Sequence, residues 1–371
     1  METELVRWSE DGSEQSAVWR SISGARAPKK VVVADDSMRA DDAYRLACEG
    51  TALLWRGDYQ NARQLSIAMA KRVDKKRRKG SEDPATAFHL HRQTQSRRAR
   101  ILGMLLVHFG ADQSLDLRRA PDTRQAMLAA YGPVDVDSVS SLRDLLGAIG
   151  AHEWQKNGVE IPALGARIHP GYGVFSPIRG EYVDLVAEAP LPSTELAFDV
   201  GTGTGVLAAV LAKRGVKRVI ATDMDSNALA CATRNIEDLG YGANVTIERA
   251  DLFPDGRAPL VVCNPPWIPA KPTSPIEHAV YDANSTMLRR FLAGLPEHLE
   301  DGGEGWLILS DIAERLGLRS RYELLGWIAD AGLAVVDRLD VRPTHSKVTD
   351  RADPLHVARR GEITSLWRLR L

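Results

Sequence analysis

The sequence has few cysteines and no long hydrophobic run. Its three cysteines, Cys48, Cys231 and Cys263, lie far apart among 371 residues, and such spacing argues against both a disulfide framework and a zinc site. No stretch of 18 apolar residues occurs, so no membrane span is expected. The polar, acidic residues 1–4 lack the basic segment and apolar core of a signal peptide. We therefore expect a cytoplasmic protein without a bound metal.

An excess of one charge is also absent from the chain as a whole. The 48 Lys and Arg residues balance 49 Asp and Glu residues, which leaves a net charge of −1, so bulk charge points to no class of partner. Residues 71–100 are the exception, because eleven Lys/Arg against three acids give this segment a net charge of +8. Such a run is either a solvated helix face or a patch that binds phosphates.

The length indicates two domains, since 371 residues exceed the usual size of one. Residues 1–30 are polar and are interpreted as a flexible N-terminus. Residues 31–157 are predicted to be a smaller helical domain, because apolar residues recur there at intervals of three and four. One such stripe comprises Tyr44, Ala47, Cys48, Thr51, Leu54 and Trp55. In residues 158–371 short strands alternate with helices, which predicts an α/β domain with a parallel, doubly wound sheet.

The run from Ala197 to Val206, AFDVGTGTGV, joins a predicted strand to a predicted helix through three glycines. Glycine lacks a Cβ, so the backbone can turn tightly and approach a ligand closely. The following helix presents unpaired N–H groups and a positive dipole end. The dinucleotide fingerprint G-x-G-x-x-G would place its third glycine at position 206, but the glycine lies at 205. The loop therefore indicates a different small ligand at the end of a strand.

Two later predicted strands each end in polar residues, as the strand before the glycine loop does. The predicted strand 218–222 runs into Asp223, which lies 22 residues after Gly201. The predicted strand 259–263 runs into the sequence Asn-Pro-Pro-Trp, beginning 65 residues after Asp199. Because parallel strands end at one edge of a sheet, these residues are expected to lie near the glycine loop.

The pattern D-x-G-x-G-x-G, followed by an acid and by Asn-Pro-Pro-aromatic, resembles motifs I and IV of class I S-adenosylmethionine (SAM) methyltransferases. Within that class it is similar to the "small" methyltransferase domain family and its amino-methyltransferases. The resemblance covers about residues 170–371. It implies a Rossmann-like, seven-stranded sheet whose last strand, residues 363–371, is inserted antiparallel, and it implies SAM as the cofactor.

The resemblance also implies which residues bind SAM. They are Asp199, Gly201, Gly203, Gly205, Asp223, Asp251 and Asn264. Asp199 and the glycines are expected to face the methionine part, and Asp223 to accept hydrogen bonds from both ribose hydroxyls. Asp251, after the third strand, is expected to accept from the adenine amino group. Asp225 is instead expected to cap the helix that begins near Ser226.

The expected catalytic residues are Asn264, Pro265, Pro266 and Trp267. A planar amino or amide nitrogen attacks poorly because its lone pair is delocalised. Two acceptors aimed at its N–H bonds, the Asn264 side-chain carbonyl and the Pro265 main-chain carbonyl, would localise that lone pair. Pro266 keeps Pro265 extended and so fixes the direction of its carbonyl, while Trp267 offers a flat face to a planar target.

The motif does not choose the acceptor, because adenine, cytosine and glutamine all present a planar nitrogen with two N–H bonds. The basic segment 71–100 favours adenine N6 in RNA, with residues 31–157 as a substrate-recruiting domain. Glutamine N5 in a release factor or ribosomal protein is the alternative. A module that binds SAM without turnover is a third. No membrane partner is expected.

Overall fold

Two units with separate β-sheets make up the chain. The computed structural model describes residues 4–75, 81–273, 275–344, 350 and 353–371. Unit 1 comprises residues 1–81 and 89–153, and unit 2 comprises residues 82–88 and 154–371.

The described residues of unit 1 include a six-stranded mixed sheet with the spatial order β1-β2-β6-β5-β4-β3. Its strands are β1 (Leu5–Glu10), β2 (Ser13–Trp19), β3 (Lys30–Ala34), β4 (Thr51–Trp55), β5 (Leu105–Phe109) and β6 (Ser138–Ser141). The pairs β1–β2 and β5–β6 are antiparallel, and the other pairs are parallel. The helices along residues 40–157 are α1 (Ala40–Cys48), α2 (Tyr59–Lys75), α3 (Pro84–Leu102), α4 (Arg124–Tyr131) and α5 (Leu142–Asn157).

One face of this sheet buries an apolar cluster with side chains from all six strands. In β1 the alternation of side chains places Val6 and Trp8 in the cluster and leaves Leu5 and Arg7 exposed. The other strands contribute Ala17, Val31, Val33, Ala52, Leu54, Leu106 and Val139. Unit 1 therefore has its own hydrophobic core.

Two predictions for the N-terminal part of the chain are wrong. Residues 1–30 are not a flexible terminus, because β1 and β2 lie there, and residues 31–157 are not a helical domain, because helices and strands alternate. The stripe predicted as helix through Thr51, Leu54 and Trp55 runs into β4, where four consecutive residues are buried. A short apolar run fits a helix face as well as a buried strand, so periodicity did not separate them.

Unit 2 confirms the predicted α/β fold class. Its described residues form a seven-stranded sheet with the order β11-β10-β9-β12-β13-β15-β14. These strands are β9 (Leu196–Val200), β10 (Arg218–Asp223), β11 (Val245–Arg249), β12 (Ala258–Cys263), β13 (Leu299–Ser310), β14 (Ala334–Val341) and β15 (Thr364–Arg370). The last strand is antiparallel to both neighbours, and the five strands from β9 to β13 pair in parallel, as predicted.

Helices cover both faces of this sheet, as a doubly wound fold requires. They are α6 (Glu181–Glu188), α7 (Val206–Lys213), α8 (Ser226–Asp238), α9 (Thr286–His298), α10 (Ile312–Arg315), α11 (Arg321–Asp330) and α12 (His356–Arg360). Ala197 of β9 packs in a cluster with α6 and α7, whereas Phe198 packs in a cluster with α9 and α11. A short hairpin precedes them, made of β7 (Val159–Ile161) and β8 (Ala166–Ile168), and 3₁₀ turns span Pro275–Ala279 and Ala283–Ser285.

The parallel strands β9, β10 and β12 end at one edge of the sheet. Val200, the last residue of β9, is aligned with Thr222 of β10 and with Cys263 of β12. The residues that directly follow these three are Gly201, Asp223 and Asn264. Open α/β sheets bind ligands at the carboxyl ends of their strands, near the point where the strand order reverses. This edge is therefore the candidate site. None of the helices in the described ranges has both the length and the apolar character needed to cross a bilayer.

Candidate active site

The loop between β9 and α7 needs its three glycines for conformational reasons. Gly201, Gly203 and Gly205 have φ angles of 73°, 56° and 81°, in the left-handed region where a side chain is strained. A Cβ on Gly205 would lie 3.3 Å from Ala232, so the loop packs closely against α8. A Cβ on Gly203 would meet none of the described atoms within 4 Å, which leaves open space beside this backbone for a ligand.

Asp199 is buried and hydrogen-bonds to the glycine loop and to α7. Its side chain is 1% exposed, and its Oδ2 accepts hydrogen bonds from the Thr202 hydroxyl at 2.6 Å and the Ala208 N–H at 3.1 Å. Burial raises the pKa of Asp199 to about 6, against the opposing effect of these two hydrogen bonds, and the charge of Asp223 adds to the rise. Asp199 thus ties the loop to the first turn of α7, and its predicted place beside the methionine part of SAM stays a prediction.

Asp223 lies beside the glycine loop at the end of β10. Its Oδ2 accepts from the Gly203 N–H at 3.0 Å, and its Oδ1 accepts from the Asp225 N–H at 2.9 Å. Each carboxylate oxygen keeps a further lone pair, so the two oxygens can still accept hydrogen bonds from two ribose hydroxyls. Asp225 is the N-cap of α8, because its side chain accepts from the Asn227 N–H at 2.8 Å. That prediction is confirmed.

Asp251 follows β11 and is already paired. Its two carboxylate oxygens accept from the guanidinium of Arg290 on α9 at 3.1 and 2.8 Å. The hydrogen bonds from Arg290 lower the pKa of Asp251. Any contact with the adenine amino group would therefore share this carboxylate with Arg290, and the predicted role stays a prediction.

Asn264 and Trp267 contact each other at the end of β12. The indole Nε1–H of Trp267 donates to Oδ1 of Asn264 at 2.9 Å. A carbonyl oxygen has two lone pairs, so one remains for an acceptor N–H. Pro265 is buried, and Pro266 and Trp267 are half-buried. The four predicted catalytic residues thus form a segment in which the side-chain amide of Asn264 is hydrogen-bonded to Trp267.

Arg179, which the sequence did not single out, covers one face of Trp267. Its guanidinium carbon lies 5.0 Å from the centroid of the Trp267 ring. Arg179 Nε donates to Glu181 Oε1 at 2.8 Å, and Nη2 donates to Glu362 Oε1 at 3.0 Å. The Ser310 hydroxyl donates to the same Glu362 oxygen at 2.6 Å. A small ion-pair network therefore holds the guanidinium over one face of the tryptophan.

The structure brings most of the predicted site residues to one sheet edge. Gly203 and Asp223 are hydrogen-bonded, and the strand register places Asn264 beside them. Asp251 lies at the edge of the next strand outward and faces Arg290. No three His, Cys, Asp or Glu side chains among the described residues are grouped so as to hold a metal ion.

Comparison with known proteins places this site in a family context. Residues 172–316 match the family described as "Methyltransferase small domain". A putative protein N5-glutamine methyltransferase of Methanocaldococcus jannaschii is 23% identical over 177 residues, 46% of this chain and 87% of the relative. The release factor glutamine methyltransferase of Mycobacterium tuberculosis is 34% identical over 199 residues, 49% of this chain and 56% of the relative.

An adenine enzyme is also among the relatives. The tRNA1(Val) (adenine(37)-N6)-methyltransferase of Shewanella putrefaciens is 21% identical over 183 residues, 47% of this chain and 74% of the relative. Of the mycobacterial glutamine enzyme described above, the chain spans only 56% of the length. The relatives share transfer to a nitrogen but differ in the acceptor.

Proposed function

We propose that this protein is a SAM-dependent methyltransferase that acts on a planar amide nitrogen, the N5 of a protein glutamine. The match of residues 172–316 to the methyltransferase small domain family supports methyl transfer. The observation that carries the proposal is the segment after β12, where the side-chain carbonyl oxygen of Asn264 accepts a hydrogen bond from Trp267.

The residues around the glycine loop fit SAM. The open space beside Gly203 admits a ligand close to the backbone. Asp223 keeps acceptor capacity on both oxygens for a ribose. SAM supplies an activated methyl group on its sulfonium, so the protein has to hold the nitrogen in line with it. Orientation of this kind contributes on the order of 7–11 kcal/mol to a two-reactant step.

The acceptor nitrogen would donate its two N–H bonds to the carbonyls of Asn264 and Pro265. These acceptors draw the nitrogen towards tetrahedral geometry and localise its lone pair. The nitrogen would become acidic only as it bonds to the methyl carbon and the carbon–sulfur bond of SAM breaks, so its proton would pass to water and no strong base is needed. Because Pro265 has no N–H, nothing on that residue repels the hydrogens of the amine.

The surroundings of Trp267 favour an amide over a base. One face of the indole is covered by Arg179 and its N–H is engaged by Asn264. The ring also packs against apolar clusters of unit 2, so it is not a free platform for stacking. A glutamine amide needs two hydrogen-bond acceptors and no stacking partner. Two of the relatives named above are described as glutamine methyltransferases, which supports the same choice.

Adenine N6 in RNA is the second candidate, favoured by the basic segment 71–100. In its described part, Arg72 pairs with Asp41 at 2.6 Å and Arg98 with Asp74 at 3.5 Å, so two of the cations are balanced. Residues 76–79, which carry four of the eleven basic side chains, lie outside the described residues. The segment therefore supports this candidate by its charge alone.

Radiolabelled SAM distinguishes the two acceptors. The purified protein is incubated with ribosomes, total RNA and soluble protein from cells that lack its gene, and the labelled product is digested and identified by mass spectrometry. N5-methylglutamine in a protein is the expected product, whereas N6-methyladenine would establish the second candidate. Methylation on oxygen or carbon would contradict both.

Two variants separate the chemistry from cofactor binding. Asn264→Ala should lower kcat by roughly 100-fold or more, comparable to the loss of one transition-state hydrogen bond, while calorimetry shows that SAM binding largely survives. Asp223→Ala should instead weaken SAM binding. Binding of SAM with no turnover on any fraction would favour a module that only binds it.

A further inference from the structure

We propose that Trp267 and Arg179 are positioning residues that act through Asn264. In this proposal, which rests on the proposed function, the Trp267 N–H fixes the rotation of the Asn264 amide, and Arg179 fixes the plane of Trp267. The contacts that carry it are the 2.9 Å hydrogen bond and the 5.0 Å stacking distance.

An asparagine amide has two ends of nearly equal size and opposite polarity. Rotation by half a turn would exchange the carbonyl oxygen for an NH₂ group, which would repel the N–H bonds of the acceptor. An indole N–H is only a donor, so it pairs with the carbonyl oxygen and not with the NH₂ group. The bond from Trp267 therefore selects the rotamer of Asn264 that accepts hydrogen bonds.

The indole must itself be held still for this to work. Arg179 covers its face, and the guanidinium is held by two carboxylates from different parts of unit 2. Glu181 begins α6, whereas Glu362 precedes β15 and is 2% exposed. Hydrogen bonds between ionised groups are stronger than neutral ones, so the guanidinium cannot swing away without breaking two of them.

A phenylalanine at position 267 would keep an aromatic ring but lack the N–H donor. Its ring could still lie under Arg179, yet nothing would choose between the two rotations of the amide. The tryptophan is thus used for its edge, towards Asn264, as much as for its faces. This separates the proposal from a stacking role, which depends on the faces alone.

The kinetic test compares Trp267→Phe with the matched control Trp327→Phe. Trp327 on α11 also lies under an arginine, with the Arg289 guanidinium carbon 5.5 Å from its ring centroid. Trp267→Phe should lower kcat by about 100-fold, as expected for a misoriented catalytic group, with an unchanged KM for SAM. Trp327→Phe should leave kcat unchanged. Arg179→Lys, which keeps the charge but loses the planar group, should lower kcat by a smaller factor.

A double-mutant cycle shows whether Trp267 acts through Asn264. In the Asn264→Ala background, Trp267→Phe should cost no more than about twofold further, because coupled residues have non-additive effects. A full loss in that background would mean that Trp267 meets the acceptor directly, and it would overturn the proposal.

A spectroscopic test needs no turnover and keeps this proposal separate from the proposed function. The indole resonance of Trp267, assigned by its loss in Trp267→Phe, should show slow hydrogen exchange in the wild type and fast exchange in Asn264→Ala. Equal exchange in both proteins would overturn the positioning role, whatever the enzyme methylates. Absence of methyl transfer, with the protected N–H intact, would instead refute the proposed function alone.

Discussion

At the residue scale, the buried carboxyl of Asp199 makes the glycine loop sensitive to pH. Its pKa is raised by burial from 3.8 to about 6. The folded protein therefore binds the proton more tightly than the unfolded chain does. This contribution to stability is fully present below about pH 4 and is lost as the pH rises towards 6, a change of about 3 kcal/mol.

Asp199→Asn should remove that dependence. An asparagine oxygen can still accept from Thr202 and Ala208, but it carries no charge to bury. The stability of the wild type relative to the variant should fall between pH 4 and pH 6 and level off above. Urea unfolding of both proteins at pH 4, 5, 6 and 7 measures the difference. Parallel curves across that range would show that the carboxyl titrates as it does in the unfolded chain.

Arg319 is a second buried charge, and its environment predicts that replacing it stabilises the protein. Its side chain is 4% exposed, and neither Nε nor Nη2 has a hydrogen-bond partner in the described part of the chain. Burial lowers its pKa. The neighbouring Glu314 already accepts from Arg321 at 2.8 Å. Nε and Nη2 are thus two donors removed from water without a matching acceptor.

Arg319→Met should raise the free energy of unfolding by about 1–3 kcal/mol, because it removes two buried donors that lack an acceptor and fills the site with an apolar chain. Arg321→Met is the matched contrast, since it breaks an ion pair and should lower stability instead. Urea midpoints at pH 7 measure both. A loss of stability in Arg319→Met would mean that this guanidinium has a favourable partner after all.

At the element scale, Glu304 connects the antiparallel strand β15 to β13. Its carboxylate is fully buried and accepts from Arg368 at 2.8 and 2.7 Å, from Arg370 at 2.7 Å and from Trp306 at 2.9 Å. Burial alone would raise the pKa of Glu304, but hydrogen bonds from Arg368, Trp306 and Arg370 bring it down to about 2. The stability it contributes is therefore present above about pH 4.5 and is lost as the pH falls towards 2.

Glu304→Gln should destabilise unit 2 by about 3 kcal/mol, since it leaves Arg368 without its buried counter-charge. Amide hydrogen exchange should accelerate in β15 first. The control is Glu300→Gln, an exposed glutamate on the same strand, which should change neither. Equal protection of β15 in both variants would contradict this role of Glu304.

At this scale, the sequence predicts those features whose residues lie close together along the chain. The β9–loop–α7 segment was predictable because three glycines with positive φ and the buried Asp199 lie within seven residues of one another. The contact of Arg179 with Trp267 joins residues 88 positions apart, and no local pattern contains it. Strand β5 looks like the end of a helical stripe because Leu105 and His108 are three residues apart.

At the scale of the whole molecule, the net charge of −1 conceals the net charge of +8 in the segment 71–100. If RNA is bound there, replacing Lys76, Arg77, Arg78 and Lys79 with Gln should make the log–log salt slope of binding about 3 units less steep, because each phosphate that is no longer neutralised removes about 0.7 from the slope. Arg72→Gln is the control, because Arg72 already pairs with Asp41. Filter binding at several salt concentrations gives the slopes. A slope that the fourfold variant leaves unchanged would make the run a solvated face.

The pairing of β2 with β6 has a consequence for the newborn chain. Val18 lies beside Ser138, so the first hairpin is completed by a strand synthesised 120 residues later. At ribosomal rates of about 5–20 residues per second, the edge of β2 stays unpaired for on the order of ten seconds before β6 is synthesised. Unpaired edges invite aggregation. The residues of β2 that wait for β6 are Val18 and Trp19, and the four residues from Ser13 to Ser16, at the start of the same strand, are polar and exposed. We expect the polar composition that made this stretch look unstructured to limit aggregation until β6 has been synthesised.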